Sequence, residues 1–366
     1  MANFILNVKT LTPLHIGSGD ELRQGFDFIV KNGRTYRLDV DAILAAKGDR
    51  MTPSRAGSYP RPDELLTSND LSNPAFFRYS LAGSPRSGQA DARLKACIKD
   101  VYDCAYIPGS SLKGAFRTAL AWSGWKEVNP RLERGAIGRK PKDAAQPLER
   151  ELFGPNPNHD LLRALQVGDC IGSQKPGDRL RVVNAQVLTM RRAGSPVELE
   201  AISGDTEFSG VLRIDDTLFS PLAEHKLHFS KRRHWLDELT ARVQRHSQAR
   251  IGKLIAWFER AEGAEDVAKF YRRLAEPVLA PNQALLQLGW GTGWDGTTFG
   301  THLQTDIHLF EVLVRDFRLH KANRQSPPRR AGDPFPRSKR VAMKVKEGRA
   351  APAAPFGWVV LEINPA

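Results

Sequence analysis

No stretch of the 366 residues approaches the roughly 18 apolar residues that a membrane-spanning helix needs. Cysteine is scarce: only Cys97, Cys104 and Cys170 occur. An odd number of thiols in a long chain argues against a disulfide framework and for a reducing compartment, so the cytoplasm is expected. The cysteines form no closely spaced pair, so a structural zinc site is not expected, and His225, His228 and His234 read as exposed histidines. Residues 1–8 lack the basic start and cleavage site of a signal peptide. There is no repeat of fixed period. The loop of nucleotide triphosphatases is also missing, because Lys113 precedes Gly114 instead of following it.

Cationic residues are plentiful. Lys and Arg total 54 against 41 acids, a formal charge of +13. Twelve of these cations, against three acids, fall between Arg315 and Arg349, a window carrying +9. Lys231, Arg232 and Arg233 form a second cluster, with Arg242, Arg245 and Arg250 following. Clustered cations attract polyanions, and without an apolar helical face the partner indicated is nucleic acid, not a membrane. The plainer alternative is a solvated basic surface, or a disordered tail where Gln325–Pro336 is rich in Pro, Arg and Gly.

Local patterns give an outline. Residues 3–10 read as a strand. Phe26–Val30 and Thr35–Leu38 flank Asn32-Gly33 and read as a hairpin. Asp39 caps a short helix over 40–46. Residues 47–95, broken by five prolines, read as an inserted excursion with little core of its own. A helix is expected from Ser111 to about Trp125, with Leu112, Ala115, Phe116, Ala119 and Leu120 on one face. Residues 126–150 read as a second, basic insertion, followed by a short helix to Phe153. Leu165–Gly168 and Leu180–Met190 read as strands. Val197–Ile202 and Glu207–Ile214 flank Ser203-Gly204-Asp205 and read as another hairpin. Helices are expected over 234–274, meeting at Gly263, and over 302–314. Strands are expected over 284–288 and 357–363. The order strand, helix, strand, strand, helix, strand predicts an α+β chain with a ferredoxin-like or RRM-type βαββαβ core, large insertions and a glycine-rich loop near the C-terminus. The division expected is an RRM-like half over 1–228 and a C-terminal half over 229–366.

Three motifs carry more. Tyr106-Ile107-Pro108-Gly109-Ser110-Ser111-Leu112-Lys113-Gly114 runs into the first long helix. Its opening offers backbone N–H groups, the Ser110 and Ser111 hydroxyls, and Lys113 with Arg117 behind it, which suits an RNA phosphate; a plain helix cap is the alternative. Leu11-Thr12-Pro13-Leu14-His15-Ile16-Gly17-Ser18-Gly19 follows the first strand. Gly289-Trp290-Gly291-Thr292-Gly293-Trp294 opens a stretch with five glycines in twelve residues. Together, and in their order along the chain, the motifs resemble the RAMP superfamily of CRISPR proteins. Within it they resemble the Csm-type subunit that caps the 3′ end of crRNA in type III-A effector complexes. Leu161–Asp169 and Glu198–Ile202 are also similar to family segments, with Gly168 where the family often has serine. Pro336-Arg337-Ser338-Lys339-Arg340 is loosely similar to a family Pro-Lys-Thr-Arg pattern.

The resemblance implies a RAMP fold, binding to crRNA and target RNA, and assembly with other RAMP subunits. It also implies a part in maturing or protecting the crRNA 3′ end, with host nucleases doing the trimming. It places Ser110, Ser111, Lys113 and Arg117 on phosphates. His15, Ser18, Gly289, Gly291, Gly293 and Thr297 shape the groove, and Arg337, Lys339 and Arg340 add charge. For Trp290 and Trp294 the core reading is preferred over base stacking. His15 and Asp20 are the candidates for an endoribonuclease alternative, His15 as acid or base and Asp20 as the loop aspartate. Neither has a partner motif, so a non-catalytic RNA-binding subunit with no metal and no cofactor is expected.

Overall fold

The computed structural model describes residues 2–86, 91–191, 193–297, 300–319, 330, 333, 335–346 and 349–366, without the side chains of 193 and 346. Residues 298–299 of the glycine-rich stretch and most of the 325–336 segment lie outside the described residues. No described helix is long and apolar enough to cross a membrane.

Strand β1 (Ala2–Thr10) leads to β2 (Gly17–Arg23), β3 (Phe28–Lys31), β4 (Arg34–Leu38) and helix α1 (Val40–Lys47). Next come β5 (Phe77–Ala82), β6 (Arg93–Cys97), β7 (Tyr106–Ile107), α2 (Gly109–Val128) and α3 (Gln146–Phe153). Then follow β8 (Leu165–Val167), β9 (Cys170–Ile171), β10 (Leu180–Thr189), β11 (Ala193–Ile202) and β12 (Glu207–Ile214). Helices α4 (Pro221–Leu227), α5 (Arg233–Asp237), α6 (Leu239–Phe258) and α7 (Glu265–Ala275) precede β13 (Gln283–Gln287). The chain continues with α8 (Gly300–Leu303), α9 (Ile307–Asp316), β14 (Ser338–Lys346), β15 (Arg349–Pro355) and β16 (Trp358–Pro365).

The local signals act as expected. Asn32 and Gly33 both take positive φ, 51° and 71°, and turn β3 into β4. The Asp39 carboxylate accepts from the Ala42 N–H at 3.0 Å and caps α1. Helix α2 buries Leu112, Phe116, Ala119 and Leu120, and stops at Asn129 in the left-handed region. Gly263 (φ +73°) separates α6 from α7.

Among the described residues the strands form two sheets. A seven-stranded sheet runs β13-β16-β1-β12-β9-β7, with β8 also on β12. A nine-stranded sheet runs β2-β6-β11-β10-β5-β4-β3, with β14 on β10 and β15 on β14. Strand β1 lies antiparallel between β12 and β16, so strands from either side of residue 228 share the first sheet. Helix α2 supplies Leu112, Phe116 and Leu120 to the main core, which includes Leu6, Val8, Leu212 and Leu361 from that sheet. The fold is α+β.

Three expectations need correction. The segments flanking Ser203-Gly204-Asp205 are not a hairpin. β11 pairs with β10 in one sheet and β12 pairs with β1 in the other. The connecting residues bond to the end of β1: the Thr10 N–H donates to Thr206 O, the Asp205 N–H to Thr10 O, and the Thr10 hydroxyl to Ser203 O at 2.7 Å. The 47–95 excursion contains β5 and most of β6, which join the nine-stranded sheet, while Leu65 and Phe76 close a small core with Leu38 and Ile43. The basic segment 315–356 contains the β14–β15 hairpin. Val341 and Ala342 are buried where β14 lies along β10.

Candidate nucleic-acid interface

The Leu11–Gly19 and Gly289–Trp294 motifs meet. His15 is 3% exposed; its Nδ1 lies 2.6 Å from Glu200 O, and its carbonyl accepts the Trp290 N–H at 2.8 Å. Burial holds the His15 ring below the usual imidazole range, so it is neutral near pH 7. Gly289 (φ +67°) passes so close that a Cβ there would lie 2.4 Å from His15 O. Gly357 (φ +77°) donates to Pro13 O, and its missing Cβ would lie 2.0 Å from Leu288 O. These glycines let three chain segments pass at backbone contact distance.

Charged side chains hold the same loop from beneath. The Arg250 guanidinium donates to Gln287 Oε1 at 2.7 Å and to Thr292 O at 3.2 Å. Lys339 donates to Asp295 at 2.7 Å in an ion pair whose side chains are 7% and 14% exposed. Sequence reasoning offered Lys339 as a free cation and gave Asp295 and Arg250 no role in holding this loop. Thr297 is exposed and its hydroxyl turns back to Gly293 O at 3.2 Å. Gly291 (φ +99°) packs over Phe356. Both tryptophans are half-buried and neither is a full core residue. Trp290 lies between Phe356, the His15 ring and the Arg340 guanidinium, which sits 4.8 Å from its centre. Trp294 packs on Phe310 and Phe335. Arg340 is exposed, Arg337 pairs with Asp333, and Ser18 bonds Asp20 at 3.0 Å.

Glu200, from the family-like strand segment, is fully buried and explains much of this corner. Its carboxylate accepts from Tyr79 Oη, the Cys97 N–H and Lys99 Nζ at 2.9, 3.0 and 2.6 Å. Its own carbonyl fixes His15, so the histidine is spent on holding the loop.

The Tyr106–Gly114 motif meets the 161–169 segment. β7 pairs with β9, and the Gly109 N–H donates to Asp169 Oδ1 at 2.7 Å. A Cβ on Gly109 would lie 2.2 Å from Val167 O, so only glycine fits against Val167-Gly168. The Ser111 and Leu112 N–H groups turn back to Pro108 O. The positive end of α2 is therefore partly filled by Asp169. What remains open is on the helix side. Ser110 is exposed, Ser111 and Lys113 are half-buried, and none of these three side chains has a hydrogen-bond or ion-pair partner among the described residues. Burial lowers the Lys113 pKa, against the pull of Asp160. Arg117, expected on a phosphate, is committed within the protein. It holds Asp160 at 2.7 Å and Glu149 at 2.8 Å, and lies 4.2 Å from the Phe153 ring centre.

No group of three or more metal-ligating side chains is gathered among the described residues. The three cysteines are free and buried, and burial pushes the Cys97 thiol up to about 11.

A family model described as the RAMP superfamily matches residues 7–294. The chain is 28% identical over 208 residues to the CRISPR system Cms protein Csm5 of Streptococcus thermophilus, a match covering 50% of this chain and 54% of that protein. It therefore aligns with about half the length of that relative. It is 22% identical over 379 residues to the protein of the same name from Methanocaldococcus jannaschii, covering 97% and 88%. Among solved structures, a chain of a type III-A Csm–crRNA–target RNA ternary complex matches with a TM-score of 0.70 at 23% identity, covering 98% of this chain and all of that one. The crystal structure of T. onnurineus Csm5 matches at 0.61 and 20% identity, covering 97% and 99%. At these identities the structural matches speak to fold.

Proposed function

This chain belongs to the RAMP superfamily, and from that premise we propose that it is a crRNA-binding, end-capping subunit of a type III-A Csm effector complex. It works in the cytoplasm beside other RAMP subunits, on a ferredoxin-like core in which β1, α2 and β12 are central. It binds the backbone of crRNA, and of target RNA paired to it, and shields the crRNA 3′ end while nucleases trim it. Backbone contact fits a guide whose base edges must stay free for pairing.

One observation carries the reading: Ser110 and Lys113 lie on one face at the start of α2, Ser111 is on the first turn, and none of the three side chains has a hydrogen-bond or ion-pair partner among the described residues. Two hydroxyl donors and an ammonium at the positive end of a 20-residue helix suit a phosphodiester. Support for holding over cutting comes from His15, whose ring is buried and bonded. The two Csm relatives and the fold of the Csm–crRNA–target RNA complex chain point the same way.

The test is reconstitution with the other subunits and crRNA. Native mass spectrometry should count one copy per particle, and omission should leave an assembled particle whose crRNA 3′ region is digested by added exonuclease. Two or more copies, or equal digestion with and without the chain, would refute the assignment.

A further inference from the structure

Beside α2 lies a second cationic site that the motifs do not mark. α3 and the turn between α4 and α5 enclose a cleft of about 260 Å³. Arg150 and His159 line one wall, and His228, Lys231 and Arg232 line the other, from segments nearly seventy residues away. Glu151 is the acidic residue among the lining groups.

Arg232 distinguishes this cleft from a merely basic surface. It is half-buried and has no carboxylate partner among the described residues. Its guanidinium donates to Leu152 O at 2.5 Å and Glu151 O at 2.7 Å, the closing carbonyls of α3, and lies 5.5 Å from the Trp235 ring centre. Burial alone acts on it and lowers its pKa. Two of its N–H groups hold the negative end of α3 and three remain, so a fixed cation without a carboxylate partner among the described residues lines the cleft. Arg150 and Lys231 are exposed and also without ion-pair partners. A charge set of this kind is completed by an anion from outside.

The cleft and the opening of α2 are joined through the same buried aromatic side chains. Ser110, Lys113 and Arg117 follow one another at helical spacing along α2. Arg117 covers Phe153, Phe153 meets Trp235 edge-on at 6.0 Å, and Trp235 underlies Arg232.

We propose that the cleft between α3 and the α4–α5 turn is a second phosphate site for the same single-stranded RNA that Ser110 and Lys113 engage. Arg232 is its inner charge, and Arg150 and Lys231 are its outer ones. The proposal rests on the RNA-binding reading above, and the following measurements separate the two.

Binding of the full chain to a length series of fluorescent oligouridylates is measured by anisotropy across a salt range. Wild-type affinity should tighten with length. The Arg150→Ala/Lys231→Ala double variant changes exposed side chains only and should melt like wild type. It should match wild type on the shortest RNA that binds, lose about tenfold on long RNA, and lower the log–log salt slope by about 1.4, at about 0.7 per lost contact. Arg232→Gln should reproduce the long-RNA loss. Lys113→Ala should weaken binding at every length. If both cleft variants bind long RNA with wild-type affinity and slope while Lys113→Ala is impaired, the cleft proposal falls and the RNA-binding reading stands. If cleft variants bind RNA normally but drop out of the reconstituted particle, the occupant is an acidic protein surface and the proposal also falls. If wild type binds no oligouridylate at low salt, the RNA-binding reading itself fails.

Discussion

The glycine-rich loop at 289–297 and the helix opening at 109–117 look alike in sequence, with glycines and hydroxyl residues in close succession. They use their residues differently. In the loop nearly everything is turned inward: Gly289 fits against the His15 carbonyl, Arg250 grips Thr292 O, and Lys339 is buried on Asp295. At the helix opening the glycine is likewise internal, with Asp169 on the Gly109 N–H, yet the Ser110, Ser111 and Lys113 side chains have no hydrogen-bond or ion-pair partner among the described residues. A glycine reports where backbones meet. An unpartnered hydroxyl or ammonium reports where a ligand can be met.

The sharpest way to break this contrast is Asp295→Ala. It strands the buried Lys339 ammonium and removes a carboxylate whose charge acts on Arg250. A stability loss of about 3–5 kcal/mol is expected, read by chemical denaturation; a loss well below 1 kcal/mol would mean that the loop does not depend on this pair. Gly357→Ala comes next, at about 3 kcal/mol, because a Cβ would meet Leu288 O and the φ is positive. RNA affinity measured on the folded fraction should be unchanged.

Lys113→Ala should do the converse. RNA binding should weaken by about 1–2 kcal/mol, the scale of one charge-assisted contact, while the melting temperature holds. An unchanged dissociation constant would put the helix opening in the same class as the glycine loop.

The smallest effect is that of pH. The folded-state pKa of His15 lies below its unfolded value, so its contribution to stability is complete above about 6.5 and is lost as pH falls through that value towards the folded pKa. His246, lowered to about 3 by burial, and His302 act in the same direction. The melting temperature should therefore decline from pH 7.5 to 5.5, and His15→Asn should remove part of the decline. An identical pH profile in the variant would remove His15 from the account.

Sequence legibility followed the range of the interaction. The Asn32-Gly33 turn, the Asp39 cap, the apolar face of α2 and the break at Gly263 all depend on residues a few positions apart, and all were readable. Partners far along the chain were not. Nothing near Arg117 announces Glu149 and Asp160, and nothing near Lys339 announces Asp295. The crossing at 203–206 has the composition of a hairpin turn, and only the end of β1 decides that the chain changes sheets. The β14 strand did leave a signal in Val341, Met343 and Val345 alternating with charged or small residues, which the surrounding positive charge masked.

The position of β1 also has a consequence for biosynthesis. Its edge towards β12 can be satisfied once about 214 residues exist, but its other edge belongs to Trp358–Pro365. At about 5–20 residues per second on the ribosome, the nascent chain carries that open edge for several seconds or longer. An unpaired edge of this kind recruits other strands. Chains cut short before β16 are thus expected to aggregate during expression, even though Ser110, Ser111 and Lys113, the proposed RNA contacts, precede the cut.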